Sequence, residues 1–307
     1  MFAARGVIVC LALFGVMYGT LSCLVGAAWS VGQRLHRERV LASPSILFGI
    51  RILPFAVSAL FAIFFTFPSF WLMERKSLDE DVTTFFLAVC ALLLLSAGTA
   101  RALKASRLTS RRVSQWLYKP GDGSKAKATT LSAAEGAPAL MLVGIWRPRV
   151  MVSDMAMAAL SENELRVAVR HELGHRRSWD NLKKLLMNAI PFPGMSGIER
   201  AWRESAELAA DDAAVETRQD ALDLATALIK LSRSASRWTE PEVASALVCG
   251  SSAVTTRVHR LLDWRTSSRL QRTWPWALVS VLMLTAIASN YGAALVMTHR
   301  LTELLVP

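Results

Sequence analysis

The sequence predicts a mainly α-helical membrane protein, in which a mostly helical soluble domain with a small β-sheet lies between the third and fourth of four membrane-spanning helices. The chain of 307 residues is 53% hydrophobic and has a mean hydropathy of +0.34. This composition is more apolar than that of ordinary soluble domains. The apolar residues are concentrated in four long runs, which predicts membrane spans rather than one large core.

The four apolar runs define the predicted spans. The first three occupy about residues 6–29, 46–73 and 82–100, and the fourth occupies about residues 275–297. Each run is long enough to cross about 30 Å of hydrocarbon as a helix. The first run is too long for a signal peptide, and its positive charges follow it rather than precede it, so it predicts an anchor.

The second span contains one charge and two prolines. Arg51 lies about one turn inside the span, where its long side chain is expected to snorkel towards the membrane surface. Pro54 and Pro68 are expected to kink the helix, because each removes a backbone N–H group. We therefore expect an irregular second span with Arg51 at the interface.

Lysine and arginine bias predicts the orientation. The segments after the first and third spans and before the fourth are rich in arginine, whereas the loop after the second span ends in Asp79-Glu80-Asp81. By the positive-inside rule, both termini are expected outside and the soluble part in the cytoplasm. The predicted organisation is a three-span membrane region (1–104), a cytoplasmic domain (105–272), and a last span with a short external tail (273–307).

The formal net charge of +11 has two interpretations. A basic domain beside a bilayer is attracted to anionic lipids, which makes the lipid bilayer an expected partner. Nucleic-acid binding is the other interpretation of such a charge. Because no basic helix with base-reading residues and no aromatic-basic repeat stands out, no direct nucleic-acid partner is expected.

Several elements of the soluble part are predicted from local patterns. Lys119–Gly136 has the composition of a flexible loop. Ala139–Gly144 and Arg149–Ser153 are predicted to be short strands. A helix is predicted over about 161–177, because Ser161 and the glutamate three residues later form a capping box.

A second helix is predicted over about 181–190, and Asp180 is its candidate N-cap. This helix is rich in leucine and carries Lys183 and Lys184. It is expected either to lie on the bilayer surface or to be buried in the core of the soluble domain, and the sequence does not decide between these alternatives.

The first of the two helices carries His171-Glu172-Leu173-Gly174-His175, an H-E-x-x-H motif. Residues i and i+4 lie one turn apart on the same face of a helix, so both imidazoles can reach one zinc ion. The intervening Glu172 can take a proton from a water that zinc has acidified. The motif therefore indicates zinc-dependent peptide hydrolysis.

A catalytic zinc needs a third protein ligand. Downstream, an alanine-rich helix carries Glu207 and Asp211 one turn apart, and its small side chains permit close approach to the first helix. Glu204 lies on nearly the same stripe and is the rival third ligand. From the residues alone, the choice between Glu204 and Glu207 stays open.

H-E-L-G-H followed by Glu207-Leu-Ala-Ala-Asp211 resembles the gluzincin metallopeptidases, whose second motif is Glu-x-x-x-Asp. The flanking sequences Gly144–Ser153 and Arg176–Asp180 resemble the BlaR/MecR-type integral-membrane metallopeptidases of bacteria. The resemblance covers about residues 137–265 in motifs and the remainder in layout.

This resemblance implies a gluzincin-like fold with one zinc ion held by His171, His175 and Glu207. It implies that Asp211 orients a histidine and that Glu172 is catalytic. It also implies that one of the two predicted strands can bind extended substrate by edge pairing, and a purely structural strand is the alternative for either one.

The resemblance further implies a multi-pass protein of the bacterial plasma membrane that cleaves a cytoplasmic or membrane-associated protein, such as a transcriptional repressor or itself. BlaR/MecR-type proteins carry an extracellular penicillin-binding sensor domain after the last span. This sequence stops at Pro307, so no such domain is expected. The sequence does not predict the oligomeric state.

Two other functions remain open. One is a quality-control protease of the HtpX type, which shares both zinc motifs. The other is a non-enzymatic membrane transducer or scaffold that uses zinc for folding, although such a site has no use for Glu172 as a general base. His259 is a weak candidate for stabilising the oxyanion, and that role is left unassigned.

Overall fold

The computed structural model describes residues 2–35, 43–73, 82–117, 130–133, 139–192, 194–234, 245–246, 251–264 and 291–305. The described helices are α1 (Phe2–Leu35), α2 (Pro44–Phe61), α3 (Phe67–Met73), α4 (Val82–Leu117), α5 (Asp154–Ala159), α6 (Glu162–Arg177), α7 (Asp180–Ala189), α8 (Ser196–Ala214), α9 (Arg218–Ser234), α10 (Ser251–Leu262) and α11 (Tyr291–Leu305). The strands are β1 (Thr130–Ala133), β2 (Leu140–Val143), β3 (Arg149–Ser153) and β4 (Ser245–Ala246).

Three helical stretches are long and apolar enough to cross a membrane: Phe2–Leu35, Pro44–Met73 and Val82–Ser114. They contain the first three predicted spans and extend beyond them. Helix α4 continues to Leu117, so the predicted boundary between residues 104 and 105 falls inside a helix. The fourth predicted span lies largely outside the described residues, and only its end, from Tyr291, is seen as part of α11.

The second span is irregular, as predicted, but it remains continuous from α2 to α3. Residues Ala62–Thr66 form a π-helical segment between Pro54 and Pro68. Because proline has no N–H group and its ring crowds the carbonyl of residue i−4, a wider turn before Pro68 accommodates it.

The prediction that Arg51 snorkels to the membrane surface is wrong. Its side chain is 1% exposed and is held by protein groups. Its Nε donates to Glu199 Oε1 on α8 at 2.9 Å, and its Nη2 donates to the carbonyl oxygen of Ile190 at the end of α7. A buried guanidinium needs such partners, and α7 and α8 supply them inside the protein.

The β-strands form a four-stranded sheet with the order β1-β3-β2-β4. The two predicted strands correspond to β2 and β3, which pair antiparallel with Met141 opposite Met151. The predicted flexible loop Lys119–Gly136 contains β1, which pairs parallel with β3, so that interpretation is wrong for these four residues. The strand Thr130–Ala133 contains small and polar residues, which give only a weak strand signal in the sequence.

Neither predicted strand is an edge strand in the described part of the sheet. Strand β3 lies between β1 and β2, and β4 pairs with β2 at Met141 and Leu142. Of the two alternatives for these strands, the structure favours a purely structural role for β3, and for β2 at these two residues. The sheet, α5, α6, α9 and α10 enclose the main core of the soluble part.

Helix α7 follows neither predicted alternative, because it packs along α4 and its end enters the space between the apolar helices. A Cβ atom at Gly98 of α4 would overlap the carbonyl oxygen of Ala189, so glycine permits this close approach. Ile190 is 8% exposed and packs in a cluster with Phe14 and Tyr18 of α1 and with α4. The α7–α8 turn thus joins the soluble part to the apolar helices.

Candidate metal centre

Helix α6 begins as predicted from its capping box. The Ser161 hydroxyl accepts from the backbone N–H of Glu164, and the Glu164 carboxylate accepts from the backbone N–H of Ser161. These two bonds satisfy N–H groups that the first turn leaves unpaired. The H-E-x-x-H motif lies in the last two turns of this helix, with His171, Glu172 and His175 all buried.

Helix α8 passes close to the motif because both helices present small residues. An added Cβ at Gly174 would lie 3.3 Å from Ala210 Cα, so the two backbones are nearly in contact. This approach brings Glu207, one turn before Asp211 on α8, to the imidazoles. Small residues at the contact permit a short interaxial distance, as the sequence predicted.

The side chains of His171, His175 and Glu207 converge. The two Nε2 atoms are 3.1 Å apart. Glu207 Oε2 lies 3.5 Å from His171 Nε2, and Glu207 Oε1 lies 3.5 Å from His175 Nε2. The predicted ligands therefore lie together, with their ligand atoms within 4.8 Å of one another.

Each imidazole contacts a carboxylate through its other nitrogen. His171 Nδ1 lies 2.9 Å from Asp211 Oδ1, which is the partnership that the resemblance implied. His175 Nδ1 lies 2.7 Å from Asp180 Oδ2, which the sequence reasoning missed. The His175 contact is a hydrogen bond and the His171 contact is a close contact with a carboxylate. Together they hold the rings so that both Nε2 atoms face Glu207.

The interpretation of Asp180 as the N-cap of the next helix is wrong. Asp180 is the first residue of α7, and Trp179 precedes it in a left-handed conformation with φ of 56°. This tight connection between α6 and α7 turns the Asp180 carboxylate back onto His175. The only signal in the sequence is an acidic residue five positions after the second histidine.

A second residue missed from the sequence is Arg257 of α10. Its guanidinium donates through Nε and Nη2 to the two carboxylate oxygens of Asp211, at 2.8 and 2.6 Å. Its Nη1 donates to Glu207 Oε2 at 2.8 Å. In the sequence, Arg257 is one of several arginines before the fourth predicted span, and nothing local links it to residues about 50 positions earlier.

Nearby charges keep the Glu207 and Asp211 carboxylates ionised. Burial acts to raise the pKa of Glu207, but the charges of His175 and Arg257 outweigh it and lower this pKa well below its ordinary value. The pKa of Asp211 is also lowered, since the Arg257 charge and the His171 contact outweigh burial. For Arg257, burial acts to lower the pKa, but Asp211 and Glu207 raise it.

The cluster fits a divalent metal ion. Ligand atoms 2.0–2.1 Å from a tetrahedral zinc ion are about 3.3 Å apart. The separations among His171, His175 and Glu207 are close to this value. The two Nε2 atoms point at each other, and either a shared proton or a bound metal ion can lie between them. Burial acts to lower the pKa of His171, but Asp211 and Glu207 outweigh it and raise this pKa, so the cluster attracts positive charge.

The remaining candidates are not among the converging ligands. Glu204 lines a cavity of about 360 Å³ that borders His175 and Glu207, but it is not one of the three converging ligands. His259 lines a separate pocket with residues of α9, such as Ile229 and Ser232. The geometry therefore favours Glu207 over Glu204 and gives His259 no position beside the cluster.

Comparison with known proteins agrees with these features. The family model described as BlaR1 peptidase M56 matches residues 82–261, which include α6, α8 and α10. A search of curated proteins found no match. Peptidases of this family are metallopeptidases, and the matched region covers more than half of the chain. The chain therefore belongs to the BlaR1 peptidase M56 family.

Proposed function

We propose that the protein is a zinc-dependent membrane endopeptidase. The observation that carries this proposal is the convergence of His171, His175 and Glu207 beside the buried Glu172, with carboxylates behind both imidazoles. A site used only to stabilise the fold has no use for a carboxylate at position 172, whereas hydrolysis requires a general base.

Zinc bound by these three residues would acidify a water molecule and polarise the scissile carbonyl. Glu172 would take the proton of that water and pass it to the leaving amine. Asp180 and Asp211 would hold the imidazoles in the orientation that binding needs. Arg257 would keep Glu207 and Asp211 ionised across the working pH range.

The proposal includes the finer organisation predicted from the sequence. The domain that carries the site would be cytoplasmic and inserted before a fourth span, with both termini external. The substrate would be a cytoplasmic or membrane-associated protein whose cleavage serves signalling, such as a repressor or the protein itself. Family membership supports a peptidase over a purely structural zinc site.

The test compares wild type with Glu172→Gln in detergent or lipid nanodiscs. Because Glu172 is not a ligand, we expect both proteins to bind one zinc per chain and the variant to lose about 10²–10⁴-fold in peptide cleavage. Zinc is measured by elemental analysis, and cleavage by mass spectrometry of a membrane-anchored unstructured substrate.

Two further variants test the ligand assignment. Glu207→Gln should lose zinc, and Glu204→Gln, three residues away on the same helix, should retain both zinc and activity. If Glu172→Gln cleaves as fast as wild type, the enzymatic proposal is wrong. If Glu204→Gln loses zinc and Glu207→Gln retains it, the rival ligand is the correct one.

A further inference from the structure

We propose that the site acts on membrane-anchored proteins and cuts them in the segment that directly leaves the bilayer. This inference rests on the proposed peptidase function and narrows its substrate class. Three features carry it: the depth of the α7–α8 turn among the apolar helices, the length of α7, and the direction of the cavity beside the metal cluster.

The α7–α8 turn lies deep among the apolar helices. Tyr18 of α1 donates from its hydroxyl to the carbonyl oxygen of Pro191 at 3.3 Å, and Ile190 packs beside it. Tyr18 lies about three helical turns, or about 16 Å, before Trp29, where the first predicted span ends. The turn is therefore about half-way along a span that crosses about 30 Å of hydrocarbon.

Helix α7 connects this depth to the metal cluster. Its last residue, Ala189, touches Gly98 within the third predicted span, and its first residue, Asp180, holds His175. A helix of 10 residues is about 15 Å long. The cluster thus lies no more than about 15 Å from the level of Gly98, a distance that four or five extended residues cover.

The cavity beside the cluster runs back towards the membrane. It begins at His175 and Glu207 and continues between α7 and α8 as far as Ser196. The next residue, Gly197, lies against the indole of Trp29, with an added Cβ only 3.1 Å from its Nε1 atom. Tryptophan is enriched where a span meets water. A chain that leaves the bilayer beside Trp29 therefore comes close to the residues at this end of the cavity.

Charge does not supply an alternative criterion for choosing substrates. Among the residues that line the cavity, three are basic (Lys184, Arg200 and Arg203) and three are acidic (Asp180, Glu204 and Glu207). This balance gives no preference for substrates of one sign. Distance from the bilayer is the constraint that the arrangement imposes on a substrate.

The test uses reporters in which β-casein, an unstructured probe, follows a single membrane span, reconstituted with the enzyme in liposomes. Both reporters attach casein directly to the span. In the second reporter the casein sequence begins 20 residues later than in the first. We expect cleavage, absent with Glu172→Gln, within about 10 residues of the span in both reporters, so that the cut follows the membrane and not the casein sequence. Soluble β-casein should be cut at least tenfold more slowly.

A stiff spacer provides the matched control. Sixteen prolines between span and casein hold the probe about 50 Å away, whereas 16 glycine and serine residues let it fold back. Cleavage should be lost with proline and retained with glycine-serine. If soluble casein and both spacer reporters are cut equally, the peptidase function stands and the substrate inference is overturned. If wild type and Glu172→Gln behave alike on every probe, both proposals fail.

Discussion

Asp180 and Asp211 each hold one imidazole by its Nδ1 atom, and together they direct both Nε2 atoms at Glu207. The two contacts come from different elements, since Asp180 begins α7 and Asp211 lies on α8. The orientation of the ligands therefore depends on how α6 is connected to one neighbour and packed against another.

Replacing Asp180 with asparagine tests this arrangement. The amide keeps the size of the side chain and removes its charge, so Asp180→Asn should weaken zinc affinity by about 10–100-fold while helix content stays unchanged. Affinity is measured by competition with a coloured chelator. The exposed Asp212→Asn on α8 is the control and should bind zinc as wild type does. Equal affinities for all three proteins would contradict the orienting role.

Glu164 makes stability depend on pH. Burial acts to raise its pKa, but hydrogen bonds from Lys230 and Ser161 outweigh burial and lower the pKa below the ordinary value of 4.5. The carboxylate therefore stabilises the fold above the unfolded-state pKa, and this contribution disappears as pH falls through the lowered folded-state pKa. Glu164→Gln should be less stable than wild type at pH 7, and the difference should narrow as pH falls through the lowered folded-state pKa.

Thermal unfolding followed by circular dichroism between pH 7 and pH 3 measures that convergence. Glu162→Gln, one of the exposed residues in the same first turn, serves as the control and should show a smaller and nearly pH-independent change. A gap between Glu164→Gln and wild type that does not narrow as pH falls would show that the loss comes from packing rather than from the charge of Glu164.

Helix α10 is held to α8 by two arginines with different surroundings. Arg257 and Asp211 are 4% and 0% exposed in their side chains, and Arg260 and Asp212 are 32% and 36% exposed. Both are Arg–Asp ion pairs between the same two helices, and they differ in how far they are exposed to water.

Removing each arginine should have unequal effects. Arg257→Met leaves Asp211 and Glu207 buried without their cation and should lower the free energy of unfolding by about 3–5 kcal/mol. Arg260→Met, the exposed control, should lower it by no more than about 1 kcal/mol. Thermal or denaturant unfolding of metal-free protein measures both. Similar losses would mean that the Arg257 pair is open to water in solution.

Local signals predicted the elements that carry the motif, and they failed where partners are distant. A capping box and apolar periodicity placed α6 within one residue of its observed start, because those signals lie within the helix itself. Strand β1 was missed because pairing with β3 stabilises it. Arg257 was missed because its role depends on the packing of α10 against α8. Helical spacing alone predicted the two histidine ligands, whereas the choice of Glu207 over Glu204 rested on the resemblance to gluzincins.

At the scale of the whole molecule, Arg51 joins the apolar helices to the soluble part. One guanidinium on α2 contacts the end of α7 and the start of α8, two turns before Glu207. Trp202 is fully buried in the same region, in a cluster with Leu47 and Met187. These contacts thus link α8, which carries Glu207, to α2.

A double-mutant cycle measures that connection. Arg51→Met and Glu199→Gln should each destabilise the protein, and the double variant should lose less than the sum, with an interaction energy of about 0.5–3 kcal/mol. Thermal unfolding in detergent gives the three values. The control cycle pairs Arg51→Met with Asp212→Asn, which lies on the same helix and contacts Arg260 instead, and it should be additive. Additivity in both cycles would mean that the contact between Arg51 and Glu199 contributes nothing in solution.

The position of the α7–α8 turn also has a consequence for biosynthesis. Ile190 and Phe192 occupy a space bounded by α1, α2 and α4, and all three helices leave the ribosome before the turn does. Because chains fold progressively from the N-terminus during synthesis, this receptacle can be in place when the turn emerges. A chain whose first helices fail to enter the membrane lacks this space. The turn then has nothing to pack against, and α8 is not held where Glu207 meets the two histidines. Assembly of the peptidase is thereby made conditional on correct membrane insertion.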